Sequence, residues 1–202
     1  TVALCFFNLE DILKALELPE ISQYAPAVII LMFSFMASTT LTSASSISLE
    51  GNSLWILKCS PLSVSKIFYS KILLNIVIFV PASIICAIVI SIVLKFSLFN
   101  TLMMIIAPSV ISILLSVLGV IINLYLPKLV WTAPVAVVKQ GASMLVCMLA
   151  GFALMAAPIL FFVLLKPQID FYVFIVTVIY IALTLLSMAY LKQKGEKLFK
   201  RL

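Results

Sequence analysis

The chain contains no histidine, and its 202 residues include only two aspartates, Asp11 and Asp170. The absence of histidine excludes zinc motifs that need it and a serine–histidine nucleophile pair. Both aspartates fall outside the long apolar segments, so they cannot form an intramembrane catalytic pair. No GxxxxGK[ST] segment occurs either, so the chain lacks the phosphate-binding loop of an ATPase. We therefore expect no catalytic residue, no metal site and no cofactor in this chain.

Charge is also scarce, since 10% of the residues are charged and 65% are hydrophobic, with a mean hydropathy of +1.33. A soluble domain is only about 45–50% apolar, so this composition requires a bilayer. Four cysteines without a CxxC pair do not indicate a disulfide framework or a zinc site. The net charge of +6 comes from basic residues at the ends of apolar runs, which does not resemble a nucleic-acid surface.

Five uncharged segments are long enough to cross a membrane, since one crossing takes about 20 residues. Continuous apolar runs of this length predict helices rather than the alternating strands of a barrel. The fold class is thus all-α, a polytopic membrane helix bundle forming one domain. The predicted spans are residues 24–44, 67–94, 102–126, 142–165 and 171–191.

The distribution of lysine and arginine predicts the topology, because cytoplasmic loops are enriched in both. The loops 48–66 and 127–141 and the tail 192–202, together with Lys71 just beyond the first loop, hold ten of the thirteen basic residues. We expect them in the cytoplasm, with segment 1–23 outside a cell membrane. The chain begins at Thr1 rather than Met, and an outside N-terminus without a signal peptide suggests an earlier span, in a six-span unit or a longer duplicated membrane protein.

The loop 48–66 is the most informative segment. Leu54, Leu57, Lys58 and Pro61 have the spacing of one face of a short helix, and Trp55 and Ile56 widen its apolar surface. One interpretation is an elbow anchored among lipid headgroups. The other is a protruding helix that docks on a cytoplasmic partner.

The same loop resembles that of permease subunits of type-2 ABC exporters, a likeness carried by Glu50-Gly51, Leu54 to Lys58, Ser60 to Ser63, and then Lys66 and Lys71. In that family the loop is the coupling helix beneath a separate ATPase. The resemblance implies an ATPase-docking site whose residues are Glu50, Gly51, Leu54, Trp55, Leu57, Lys58 and Pro61. It also implies ATP and Mg in the partner ATPase, and a second permease unit beside this one.

A weaker likeness covers Asn123 to Trp131 and Val137 to Gln140, which resemble a later cytoplasmic loop of a Firmicute-like subgroup. That subgroup has acidic residues near the tryptophan, where this chain has Val130, Thr132, Ala133 and Val135.

Within the spans, Ser143, Cys147 and Gly151 recur every four residues, a pattern that lets helices approach closely. Packing within the chain, a dimer interface or a substrate groove would each use it. Pro81, Pro108 and Pro158 are candidates for kinks, with a possible role in gating. Asn75 and Asn123 are expected to form interhelical hydrogen bonds.

Three functions are consistent with these features. The first is a permease subunit exporting an apolar or amphipathic substrate, driven by a cytoplasmic ATPase. The second is a non-enzymatic scaffold or assembly subunit in the membrane. The third is an ATPase-independent carrier of a neutral or lipid-like substrate. Ion-coupled carriage is disfavoured because no charged residue lies at the centre of a span.

Overall fold

The computed structural model describes residues 19–131, 133–165 and 167–202, and within these ranges it is helical without strands. The predicted all-α class is confirmed. Residues 1–18 of the predicted outer segment lie outside the described part. The helices are α1 (Pro19–Thr39), a 3-10 helix (Ser48–Ser53), α2 (Leu54–Cys59), α3 (Val64–Leu94), α4 (Leu98–Tyr125), α5 (Pro134–Gln140), α6 (Ala142–Leu165) and α7 (Ile169–Arg201).

Helix α1 ends at Thr39, five residues before the predicted end of the first span. The hydroxyls of Thr39 and Thr40 both donate to the carbonyl of Met36, at 3.0 and 2.9 Å, and the hydroxyl of Ser38 donates to Phe35. Such side-chain bonds compete with the helical ladder, which explains the early end. The following turns, residues 40–47, carry Leu41, Ala44 and Ile47 into the core.

Helix α4 is the centre of the bundle, because α1, α3, α6 and α7 all pack against it. Gly119 permits the closest approach: a Cβ there would lie 2.6 Å from Ser43 Oγ and 3.0 Å from the backbone nitrogen of Ala44. The turns after α1 therefore rest directly on the α4 backbone. Irregular backbone at this depth is tolerated because protein, rather than lipid, surrounds it.

The outward faces of the long helices are apolar, the reverse of a soluble protein. On α3 alone, Leu73, Val77, Ile85 and Ile92 are more than half exposed. Four helices are long and apolar enough to cross a membrane, namely α3, α4, α7 and the helical segment that ends at Leu165. The chain is therefore an all-helical protein of multi-pass membrane architecture.

The predicted count of five spans is not confirmed, since four helices of the described part meet the length needed for a crossing. The apolar part of α1, Tyr24–Thr39, is shorter than the other four helices. The predicted limits of the second and third spans fall within three or four residues of α3 and α4, and the fourth coincides with α6.

Helix α7 continues without a break through the predicted tail 192–202. Leu191, Gly195 and Phe199 are buried at four-residue intervals on one face. Phe199 meets Phe68 of α3 edge to face, with ring centroids 5.8 Å apart. Burial of this apolar stripe explains why the helix persists among so many lysines.

Candidate functional site: a loop platform at one end of the bundle

The two loops predicted to lie on the same side of the membrane contact each other at one end of the bundle. We call residues 48–62 and 126–131 together the loop platform. Trp131 Nε1 donates to the carbonyl of Ser48 at 2.9 Å, and the backbone N–H of Lys128 donates to Ser48 Oγ at 3.0 Å. Ser48 thus joins the first loop to the second.

Gly51 is required where the loops meet. Its φ of 49° and ψ of −123° lie in a region that side chains avoid. A Cβ there would also lie 2.8 Å from Trp131 Nε1. Glycine is therefore needed both for the backbone conformation of the turn and for the close packing of the Trp131 ring.

Asn123, near the end of α4, attaches the platform to the core of the bundle. Its side-chain carbonyl accepts the backbone N–H groups of Ile47 and Ser48, at 3.0 and 2.9 Å. Its side-chain nitrogen donates to Ser48 Oγ at 2.8 Å and to Ser143 Oγ at 2.9 Å. One fully buried residue thus satisfies two backbone donors that the irregular segment leaves free.

A second polar contact lies deeper in the bundle. Asn75 of α3 donates to Ser116 Oγ of α4 at 2.5 Å, and Thr42 lies 3.4 Å from the Asn75 carbonyl oxygen. Both asparagines therefore form the interhelical hydrogen bonds expected from the sequence. In the described part of the chain, the hydroxyls of Ser43 and Ser112 are buried without a partner.

An apolar cluster supports the short helix α2. Leu54 is 5% exposed and packs with Ile67, Phe68 and Phe199, while Leu57 is partly buried against the same cluster. Both leucines were expected in an ATPase-docking surface. Because Leu54 faces the core, it supports α2 and is not available to a partner.

The outward side of the platform is apolar. Trp55, Ile56 and Leu62 are 64%, 54% and 53% exposed, and Lys58 and Pro61 are exposed beside them. Three of the predicted docking residues, Trp55, Lys58 and Pro61, are therefore accessible. Ile56 and Leu62 were not among the predicted docking residues, although Ile56 was expected in the apolar surface of the short helix and Leu62 follows in the same apolar run.

Glu50 was expected to pair with a basic residue of an ATPase. In the structure it forms an ion pair with Lys71 of α3, and both side chains are about three-quarters buried. The carboxylate therefore ties the 3-10 helix to α3. This ion pair is within the chain, and it stabilises the platform.

Residues 192–201 of α7, which we call the α7 extension, lie beside the platform. The extension is strongly basic, with Lys192, Lys194, Lys197, Lys200 and Arg201. Its one acid, Glu196, accepts a hydrogen bond from Lys200 at 2.7 Å. That ammonium group lowers the pKa of the Glu196 carboxyl from its ordinary value. The pair is exposed, so its effect on stability is small and decreases with salt.

The small-residue stripe of α6 faces the bundle. Ser143, Cys147 and Gly151 are buried, and a Cβ at Gly151 would lie 2.8 Å from Cβ of Ser38 in α1. The prolines Pro81, Pro108 and Pro158 lie inside continuous helices. Pro158 cannot donate to the carbonyl of Leu154, and the hydroxyl of Tyr180 in α7 does so instead.

The described residues contain no group of histidine, cysteine, aspartate or glutamate side chains that could hold a metal ion. Comparisons with protein-family models, curated proteins and solved structures find no match for this chain.

The contact between Gly51 and Trp131 gives a direct prediction. In a Trp55→Phe background, we expect Gly51→Ala to displace Trp131 and shift its fluorescence emission to longer wavelength. The strained backbone should also cost about 1–3 kcal/mol in the free energy of unfolding. Ser53→Ala, two residues away in ordinary geometry, is the control. An unchanged Trp131 spectrum in Gly51→Ala would contradict the packing described here.

Proposed function

We propose that the chain is a membrane-spanning permease subunit of an ATP-binding-cassette exporter, and that the loop platform receives its ATPase. The main supporting observation is the exposed apolar surface of Trp55 and Ile56 on α2, whose other face is buried, and of Leu62 in the bend after it. Aromatic residues in such positions dominate many protein interfaces. The substrate class that fits the uncharged spans is apolar or amphipathic.

In this proposal the platform is rigid, so that a force applied to it by the ATPase reaches the long helices. Glu50 pairs with Lys71 of α3, Trp131 joins the second loop to Ser48, and Asn123 of α4 bonds to Ser48 of the first loop. A push on Trp55 would therefore move α3 and α4 together. ATP and Mg would bind in the partner, and a second permease unit would complete the pathway.

In this proposal the platform and the α7 extension lie in the cytoplasm, and the opposite end of the bundle lies outside the cell membrane. The basic residues at the platform end support this orientation. The same positive charge favours anionic lipid headgroups or an acidic rim on the partner.

Site-specific photo-crosslinking in native membranes tests the docking. With a photoreactive amino acid at position 56, we expect crosslinks to a protein carrying a Walker A motif, identified by mass spectrometry. Trp55→Asp should reduce this product at least about tenfold, because central aromatic contacts often contribute 2 kcal/mol or more. Leu54 is unsuitable for this test because its substitution would disturb the core.

Leu98→Asp provides the matched control, since Leu98 is 77% exposed at the opposite end of the bundle. It should leave the crosslink unchanged. Crosslinks only to proteins without a nucleotide-binding motif would overturn the proposal in favour of a scaffold. Nucleotide-independent transport by the purified chain in vesicles would instead identify a carrier.

A further inference from the structure

A cavity of about 260 Å³ lies between α1, α4, α6 and α7, at the end of the bundle away from the loop platform. For comparison, an apolar cavity of about 150 Å³ is large enough for benzene. Helix α6 packs on α1 and α4, and α7 packs chiefly on α4, which leaves the space between α6 and α7. Tyrosines from α7 cross this space.

The cavity offers a ligand few hydrogen bonds, because four of the five hydroxyls that line it already donate within the protein, and the fifth, that of Tyr24, lies at the mouth. Ser34 donates to Ile30 at 2.7 Å, and Thr177 donates to Val173 at 2.8 Å, each within its own helix. Tyr172 donates to the carbonyl of Pro158 at 2.6 Å, and Tyr180 donates to Leu154. The remaining lining is aliphatic and aromatic, so the occupant must be a hydrocarbon.

The length of the cavity matches one leaflet of a bilayer. On α7 the lining runs from Ile169 to Tyr180, which corresponds to about 16 Å of helix. On α1 it runs from Tyr24 to Ser34, or about 15 Å. Half of a hydrocarbon core is also about 15 Å.

The mouth of the cavity faces the surroundings of the bundle. Tyr24, Val28 and Ile159 line it and are 39%, 49% and 44% exposed. At the end near the loop between α6 and α7, Tyr24, Phe162 and Tyr172 form an aromatic group with neighbouring ring centroids 6.0 and 5.5 Å apart. Aromatic side chains are typical of the level of the lipid headgroups.

We propose that this cavity holds one acyl chain of a membrane phospholipid from the leaflet opposite the loop platform, with the headgroup near Tyr24 and Tyr172. The lipid is the favoured occupant because the opening lies on a bilayer-facing surface and the depth is that of one leaflet. This inference does not depend on the docking of an ATPase.

Photolabelling with a defined lipid tests the site. The purified chain is reconstituted in phosphatidylcholine vesicles containing a trace of phosphatidylcholine with a diazirine midway along one acyl chain. After illumination, labelled residues are mapped by mass spectrometry. We expect Met155 and Val176, which line the cavity, to be labelled in preference to Val178 and Leu185, which are exposed on α7 outside it.

Val176→Phe fills the cavity, whereas Val178→Phe adds the same atoms on the outer face of α7. We expect Val176→Phe to reduce labelling of Met155 at least about fourfold, the effect of excluding one methylene group. Val178→Phe should leave labelling unchanged. If Val176→Phe fails to fold, Ala27→Leu fills the cavity from α1, where Ala27 is only partly buried.

Equal labelling of Val176 and Val178 would overturn the proposal, as would undiminished labelling of Met155 in a folded cavity-filling variant. Selective labelling by a photoreactive alkane in detergent, without selective labelling by the phospholipid, would assign the cavity to a free apolar ligand instead.

Discussion

Asn123→Leu should destabilise the protein by roughly 3 kcal/mol, because two buried backbone N–H groups would each lose their only acceptor among the described contacts. Leucine has the same branched skeleton of side-chain heavy atoms as asparagine but cannot accept from Ile47 and Ser48. The loop platform would lose its attachment to α4 at the same time. Unfolding by SDS titration in mixed micelles, followed by Trp131 emission, measures the change.

Two further variants test whether the loss comes from the hydrogen bonds of Asn123. Ser143→Ala removes only one of the four hydrogen bonds, so it should cost about 1 kcal/mol. Asn100→Leu changes the same residue type at the other end of α4, where Asn100 is only partly buried, and it should have little effect. If Asn123→Leu is no more damaging than Ser143→Ala, Asn123 is not the anchor of the irregular segment.

Gly119→Ala should cost about 2 kcal/mol through overpacking, since the new Cβ would lie 2.6 Å from Ser43 Oγ and 3.0 Å from the Ala44 nitrogen. The segment cannot move away freely, because Asn123 holds it three residues further on at Ile47. The same SDS titration reports the change in the free energy of unfolding.

Ser43→Ala provides the test of mechanism for this second variant. The Ser43 hydroxyl is buried without a partner, so its removal alone should be neutral or stabilising by about 1 kcal/mol. Combined with Gly119→Ala it should recover part of the loss, while the contact with the Ala44 backbone remains. Strict additivity of the two substitutions would show that the clash with Ser43 is not the cause.

The helices of the bundle were predictable because hydropathy and charge act locally. Lys95 and Lys166 mark the ends of apolar runs in the sequence, and α6 has the limits expected from its uncharged segment. The end of α1 was missed because hydropathy does not record the competition of Ser38, Thr39 and Thr40 for backbone carbonyls. Those hydroxyls were visible in the sequence, and their side-chain chemistry was the available signal.

The candidate site was only partly predictable, for a different physical reason. The sequence indicated the apolar face around Trp55, but it could not distinguish outward Trp55 from inward Leu54 without the cluster around Phe68. The ion pair of Glu50 with Lys71 joins residues 21 positions apart, and the seat of Trp131 on Gly51 joins residues 80 apart. Such long-range contacts are determined by the packing of whole helices. The cavity near Tyr180 is likewise formed between four helices, so no single segment of the sequence predicts it.

Helix α7 is the one long apolar helix among the described residues that contains no proline, and it runs from Ile169 to Arg201. Its hydrogen-bond ladder is therefore uninterrupted between Phe199, packed beneath the platform, and Val176, which lines the cavity about 35 Å away. A helix without a kink tilts as a rigid body, so a tilt at one end is transmitted to the other. A movement of Phe199 would therefore change the width of the gap between α6 and α7. Helix α7 thus couples the platform end of the bundle to the cavity end.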